Sequence, residues 1–248
     1  MKKIQKPVKM SEEVSEYIIN VVETAKLLNI ESFVIEKNST RGKNDDGVMI
    51  LQQDNIPELP FDGIAFNDIL SLQKRVTLFK EFEILYQLKK QRSGVEFPFK
   101  TIIKSQSSKT SVEYRCMIPA AVRAPKKMKD PISFSFKMDA EAIDLLMKSK
   151  RVMASDTLLL SSKNGKVIFQ VCDVDSNVLE HRIASDIDVT DIDESGDTFS
   201  LPYKINNLVP ILRHMAKQNG DVELGITSRG FLHTKINDLD IYILREKE

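Results

Sequence analysis

The densest run of oxygen donors in the chain is Ser185 to Asp197, SDIDVTDIDESGD. Asp191, Asp193, Ser195 and Gly196 match the opening of a calcium loop. The bidentate glutamate that must close such a loop is absent, because Pro202 stands at its place. The stretch therefore reads as an acidic turn beside an edge strand, where charge discourages stray strand pairing. His181, His214 and His233 have no metal-site spacing, and none stands in a nucleophile motif. The nine glycines form no phosphate-cradling loop. Cys116 and Cys172 are the only cysteines and lie in apolar, strand-like runs. Two thiols cannot supply a four-ligand zinc site, and they read as reduced, packed side chains. No catalytic constellation emerges, so the chain is expected to be no enzyme and to carry no cofactor and no metal.

What remains is cationic and regularly spaced. Lys148 and Arg151 share one helical face, with Lys150 beside them. Arg213 and Lys217 are one helical turn apart, and Lys204 precedes them. Lys74, Arg75 and Lys80 decorate a further helical segment, and Lys26 is the one cation on another. Such residues can meet phosphates through solvent without reading bases. The chain as a whole gives them no help: Lys+Arg is 36 and Asp+Glu is 36, so net charge is zero. Any polyanion contact must come from charge concentrated on one face.

The elements that would position these residues occur twice. Met10 is followed by Ser11, Glu12 and Glu13, and Met138 by Asp139 and Glu141. In each copy the Ser or Asp is a helix cap, and the acids suit the positive end of the helix dipole. Val14, Ile18, Val21, Val22, Ala25 and Leu28 then form one apolar stripe. Ala142, Leu145, Leu146, Ser149 and Val152 form the other. Strand-type sequence follows both: ESFVIEKN, a turn-rich STRGKNDDG and VMILQQD in the first half, DTLLLSS and VIFQVCDV around the turn KNGK in the second. A second helix opens in FDGIAFNDILSLQKRV and again in FSLPYKINNLVPILRHM. Aligning Asn67-Asp68-Ile69 with Asn206-Asn207-Leu208 places Pro210 in an opening turn, where its missing N–H does no harm. Three strands close each half. The predicted class is α+β, each half reading β-α-βββ-α-βββ. The halves are residues 1–118 and 132–248, joined by a proline- and lysine-bearing connector at 119–131 that is expected to be extended.

At 248 residues and 42% hydrophobic content the chain can fill two modest cores. No apolar run is long enough to span a membrane, and the N-terminus MKKIQKPVKM lacks the apolar core of a secretion signal. A cytoplasmic protein without membrane partners is expected.

In its doubled order the layout resembles the DNA sliding-clamp family, in its T-even phage and proliferating cell nuclear antigen types. The phrases that carry the resemblance are FSFKMDAEAIDLL, FDGIAFNDILSL, the connector, and the closing strand LDIYILRE. It extends from about Val8 to Arg245. It implies two tandem clamp-type domains with helices inside and sheets outside, ring-forming, so that three copies encircle duplex DNA as a homotrimer. It implies a processivity factor that tethers the replicative DNA polymerase and is loaded by an ATP-driven clamp loader. The cations named above would face the pore. The helix at Glu12 departs from that pattern, since Glu12, Glu13, Glu16, Asn20 and Glu23 occupy its polar face and only Lys26 is basic. The resemblance also implies a partner-peptide groove, for which Ile118, Val122, Met128 and Tyr242 are the nearest candidates. Small size, the absence of Trp and the phage-like FDGIAFNDILSL point to a phage or viral source, acting in the host-cell cytoplasm. Two alternatives stay open: a monomeric polymerase accessory subunit of the same fold, and an α+β enzyme with a dispersed site.

Overall fold

A computed structural model describes residues 6–90, 94, 96–153, 156–163, 166–172, 178–182 and 200–246. The chain forms two compact units, Met1–Lys127 with Asn237–Leu239, and Met128–Ile236 with Asp240–Glu248. Unit 1 runs β1 (Val8–Lys9), α1 (Glu12–Leu27), β2 (Ser32–Glu36), β3 (Ser39–Lys43), β4 (Met49–Asp54), β5 (Gly63–Phe66), α2 (Ile69–Val76), β6 (Phe82–Lys90), β7 (Glu96–Ser105) and β8 (Ser111–Arg115). Unit 2 runs β9 (Ile132–Met138), α3 (Ala140–Met153), β10 (Thr157–Lys163), β11 (Lys166–Cys172), β12 (Val178–Arg182), β13 (Ser200–Lys204), α4 (Ile205–Asn219), β14 (Val222–Thr227), β15 (Leu232–Ile236) and, but for its first residue, β16 (Leu239–Ile243).

The repeat is borne out strand by strand. In unit 1 the neighbours are β1-β6-β7-β8 and β5-β2-β3-β4; in unit 2 they are β9-β14-β15-β16 and β13-β10-β11-β12. Each strand thus has its counterpart in the same place of the other unit. The ladders within the first pair of sheets are antiparallel, with Val8 opposite Tyr86 and Ile84 opposite Ile103. In each unit the two helices pack on one another, α1 with α2 and α3 with α4.

Each half carries four strands between its helices, one more than the sequence reading expected. The chain at Ser39–Lys43 is a strand, though its residues read as a turn. Its inward positions are Thr40 and Gly42, which are too small to produce an apolar signature. Gly42 is needed there, because an added Cβ would lie 2.9 Å from Phe33 Cβ. The other strands, β5 and β13, lie inside the phrases taken to open the second helices. β5 is wholly buried, so it shows no alternation that would separate it from a helix start.

The caps of the first helices are as expected: Val14 N donates to Ser11 Oγ at 3.4 Å and Ala142 N to Asp139 Oδ1 at 2.7 Å. The α1 stripe is buried at all six expected positions. In α3 the stripe is rotated: Ala142, Ile143, Leu146 and Ser149 are buried, and Val152 is 76% exposed. Ser149 sits in that apolar seam because its hydroxyl donates back to Leu145 O at 2.8 Å. α4 starts at Ile205, earlier than the alignment placed it, so Pro210 lies inside the helix rather than in its opening turn. The early start is secured from outside the helix. Ile205 N donates to Asp156 O at 2.8 Å, and Asn206 Nδ2 to Asp156 Oδ1 at 2.7 Å. The connector is not extended throughout; it opens with a 3-10 turn, Pro119–Ala121.

One buried polar pair in unit 1 carries a pH dependence. Tyr17 OH lies 2.5 Å from Thr40 Oγ1, with Tyr17 8% and Thr40 0% exposed. Burial pushes the Tyr17 phenol from 10.0 up to about 12, against the opposing pull of the Thr40 bond. The folded state therefore favours the neutral phenol. Its stabilisation is fully present below pH 10 and is lost as pH rises from 10 through 12. Tyr17→Phe should cost about 1–3 kcal/mol at neutral pH, because Thr40 loses its buried partner. It should also flatten the loss of stability above pH 10. Urea unfolding of both proteins at neutral and alkaline pH checks this, and an equally steep alkaline decline in the variant would refute it.

Candidate nucleic-acid interface and partner surface

In unit 2 the exposed face of α3 carries Glu141, Asp144, Lys148 and Arg151 at alternating spacings of three and four residues. The acids fall at the helix start and the bases at its end, each where the dipole favours it. On α4 the exposed cations are Arg213 and Lys217, with Lys204 at the N-cap. The helices are held side by side by side-chain contacts. Arg213 Nε approaches Met147 Sδ, and Lys150 Nζ meets Asn206 Oδ1. Lys150 also lies 4.0 Å from Asp156 Oδ1, so it is partly neutralised and serves the helix pair. Lys148, Arg151, Lys204, Arg213 and Lys217 form no ion pair among the described residues. Five cations without an ion pair among the described residues therefore decorate one helix pair.

The matching pair in unit 1 is different. Lys26 and Lys74 are exposed, and Lys26 Nζ donates to Gln73 Oε1 at 3.1 Å, bridging α1 to α2. Arg75 is folded back. Its Nη1 donates to Ser71 O at 2.9 Å, and its guanidinium lies 5.7 Å from the centroid of the Tyr114 ring. It thus braces α2 against β8. Lys80 is not on the helix: α2 ends at Val76, where Thr77 Oγ1 and N both return to Gln73 O. The exposed residues of α1 are Glu12, Glu13, Glu16, Asn20, Glu23 and Lys26, so the acidic face read from the sequence is real.

The four residues expected to line a partner groove fall into two groups, Ile118 and Val122 in unit 1 and Met128 and Tyr242 in unit 2. Ile118 and Val122 are half-buried at the two ends of the 3-10 turn, which packs on β2 and β5. Pro119 fits there because Gly63 has no side chain; a Cβ on Gly63 would reach 3.1 Å from Pro119 Cγ. The connector is then tied down by Arg41 Nη1, which donates to Pro125 O at 3.2 Å, and by Lys127 Nζ, 2.5 Å from Asp54. In unit 2 Met128 is half-buried, and Asp130 accepts from Thr227 Oγ1, Ser228 Oγ and Arg229 Nε at 3.1, 3.3 and 2.7 Å. Tyr242 is 8% exposed, with its ring 5.0 Å from that of His233. It packs within unit 2 and offers little ring surface to a peptide. Asp156, Arg41 and Asp54, which fix these surfaces, were missed in the sequence because each acts across the fold.

Burial pushes the Cys116 thiol up to about 12, which removes it as a nucleophile. His233 Nε2 lies 2.9 Å from Asp240 Oδ1. Among the described residues no group of three or more His, Cys, Asp or Glu is placed to hold a metal. No described helix is long and apolar enough to cross a membrane. The calcium-like stretch Asp191 to Gly196 lies outside the described residues.

No family model matches the sequence, and no curated protein does. The structure is similar to a chain of the solved structure described as the C-terminal region of FEN-1 bound to A. fulgidus PCNA. The TM-score is 0.60 at 13% identity, covering 99% of this chain and 99% of that one. The likeness over both units, with the same elements repeated in each, gives this chain a clamp-type α+β fold of two tandem domains.

Proposed function

We propose that the chain is a DNA sliding clamp, a processivity factor of which three copies close into a ring around duplex DNA and tether a replicative polymerase. The observation that carries this reading is the duplicated clamp-type fold whose second helix pair bears Lys148, Arg151, Lys204, Arg213 and Lys217, exposed and without an ion pair among the described residues. In a ring, such cations need only screen phosphates as DNA slides. Sequence-independent contact of this kind is weak, with Kd on the order of 10⁻⁴–10⁻⁶ M. Retention comes from topological closure, and a loader spends ATP to open the ring. The chain itself performs no chemistry in this scheme.

The decisive experiment is the solution mass at micromolar concentration, together with retention on circular DNA. A trimer has three times the 28.2 kDa chain mass, about 85 kDa. A strictly monomeric species that is not loaded onto circular DNA sinks the ring. That outcome favours a monomeric polymerase accessory subunit of the same fold, a reading supported by the acidic face of α1, which lines a pore poorly.

A further inference from the structure

We propose that the part of the connector in unit 1 is a cationic shelf that selects partner segments carrying aspartate or glutamate beside an apolar anchor. This rests on the clamp reading and specifies the partner chemistry of its connector. The shelf is rigid by construction. Pro119 sits over Gly63, Arg41 holds the Pro125 carbonyl, and Asp54 holds Lys127. Between these anchors the backbone turns tightly, Val122 N donating to Pro119 O at 3.1 Å and Ala124 N to Val122 O at 3.0 Å. Ile118, Val122, Ala124 and Pro125 are half-buried, so a strip of apolar surface stays open along the turn.

The charges around that strip do not balance. Three acids of this region are already paired: Glu36 with Arg41, Asp54 with Lys127 and Asp62 with Lys37. The Lys37 bond, first among its causes, holds the Asp62 carboxyl below its ordinary range. Arg123 and Lys126 are exposed and form no ion pair among the described residues. Two cations on a fixed backbone therefore flank an apolar strip in a chain whose total charge is zero. Rim charges of this kind set partner choice and encounter rate more than raw affinity. The complement is an acidic peptide. Nucleic acid fits less well, because it has no apolar anchor for the strip.

The test uses the full chain and three fluorescent peptides with one common Leu-Phe anchor, flanked by Asp/Glu, by Ser/Gly or by Lys/Arg. At low salt the acidic peptide should bind about 3- to 10-fold tighter than the neutral one, and the basic peptide weaker still. R123Q/K126Q should bring all three within about 2-fold of one another, and salt near 0.5 M should do the same to the parent. Equal binding of the three peptides, no binding by any, or a preference that survives in R123Q/K126Q overturns the proposal. So does equal displacement by an anchorless poly-Glu peptide or by a short duplex. Solution mass and DNA retention of the same variant are read alongside. Both should be unchanged, so a failed peptide preference leaves the ring reading standing, whereas a monomer that is not loaded removes the ring whatever the peptides do.

Discussion

Reversing Lys148, Arg151, Arg213 and Lys217 to Glu should impair loading onto circular DNA and flatten the salt dependence of duplex binding. All four side chains are exposed, none forms an ion pair among the described residues, and none is a cap. The fold should therefore survive with only the Arg213–Met147 contact between α3 and α4 lost, which circular dichroism checks. Each phosphate neutralised contributes about 0.9 to the slope of log K against log salt, so four contacts account for a slope of about 3.6. Between about 1 M and 0.1 M salt that corresponds to about 4,000-fold in affinity, before the added repulsion is counted. The mirror experiment on α1 carries the opposite sign. Converting Glu12, Glu13, Glu16 and Glu23 to Gln removes repulsion and should strengthen duplex binding and steepen its salt response. Duplex titrations across a salt series, with light scattering to follow assembly, read both. Unchanged slope and unchanged loading in the quadruple reversal would refute the assignment of this face to DNA.

The asymmetry behind that pair of experiments was largely legible in the sequence. Helix faces are set by spacing alone, so Lys148 with Arg151, Arg213 with Lys217, and the glutamates of α1 could be assigned to solvent before any coordinates. The duplication was legible for the same reason, since caps and stripes are local signals. What was not legible is whatever depends on a distant partner. Arg75 follows Lys74 in the same basic run, but Tyr114 on β8 draws it inward. Pro210 read as an opening residue because Asn207 looks like a cap, whereas Asp156, just before β10 and opposite Ile205, supplies an earlier start. β3 was hidden because Thr40 and Gly42 face inward without an apolar signature, and β5 because it is buried on both faces. Val152 ended outside its stripe because α3 turns Ile143 to the core, and only the packing of the helix on its sheet fixes that rotation.

Truncating Phe66 should destabilise unit 1 more than any exposed change considered above. Phe66 is 1% exposed and lies opposite Phe33 in the β2–β5 ladder, the two rings 5.1 Å apart. The Tyr114 ring lies 5.9 Å away on its other side. The next residues turn the chain into α2. Asn67 N donates to Tyr114 OH at 3.1 Å, and Asp68, in a left-handed conformation with φ 52°, caps the helix by accepting from Ser71 N at 3.1 Å. A strained cap of this kind persists only where its surroundings hold it, and the Phe33–Phe66–Tyr114 stack is what holds it. Phe66→Ala should cost about 3–5 kcal/mol, since the cavity is enclosed by strands that cannot collapse far. That is a large share of the 5–15 kcal/mol usual for a domain, so urea unfolding should show unit 1 melting early. The same change loosens the Tyr114 ring on which Arg75 rests, so α2 should fray and the Lys26–Gln73 bridge should weaken with it. Phe66→Leu keeps most of the volume and should cost clearly less. A loss below about 1 kcal/mol in the alanine variant would show that the stack does not hold the α2 cap.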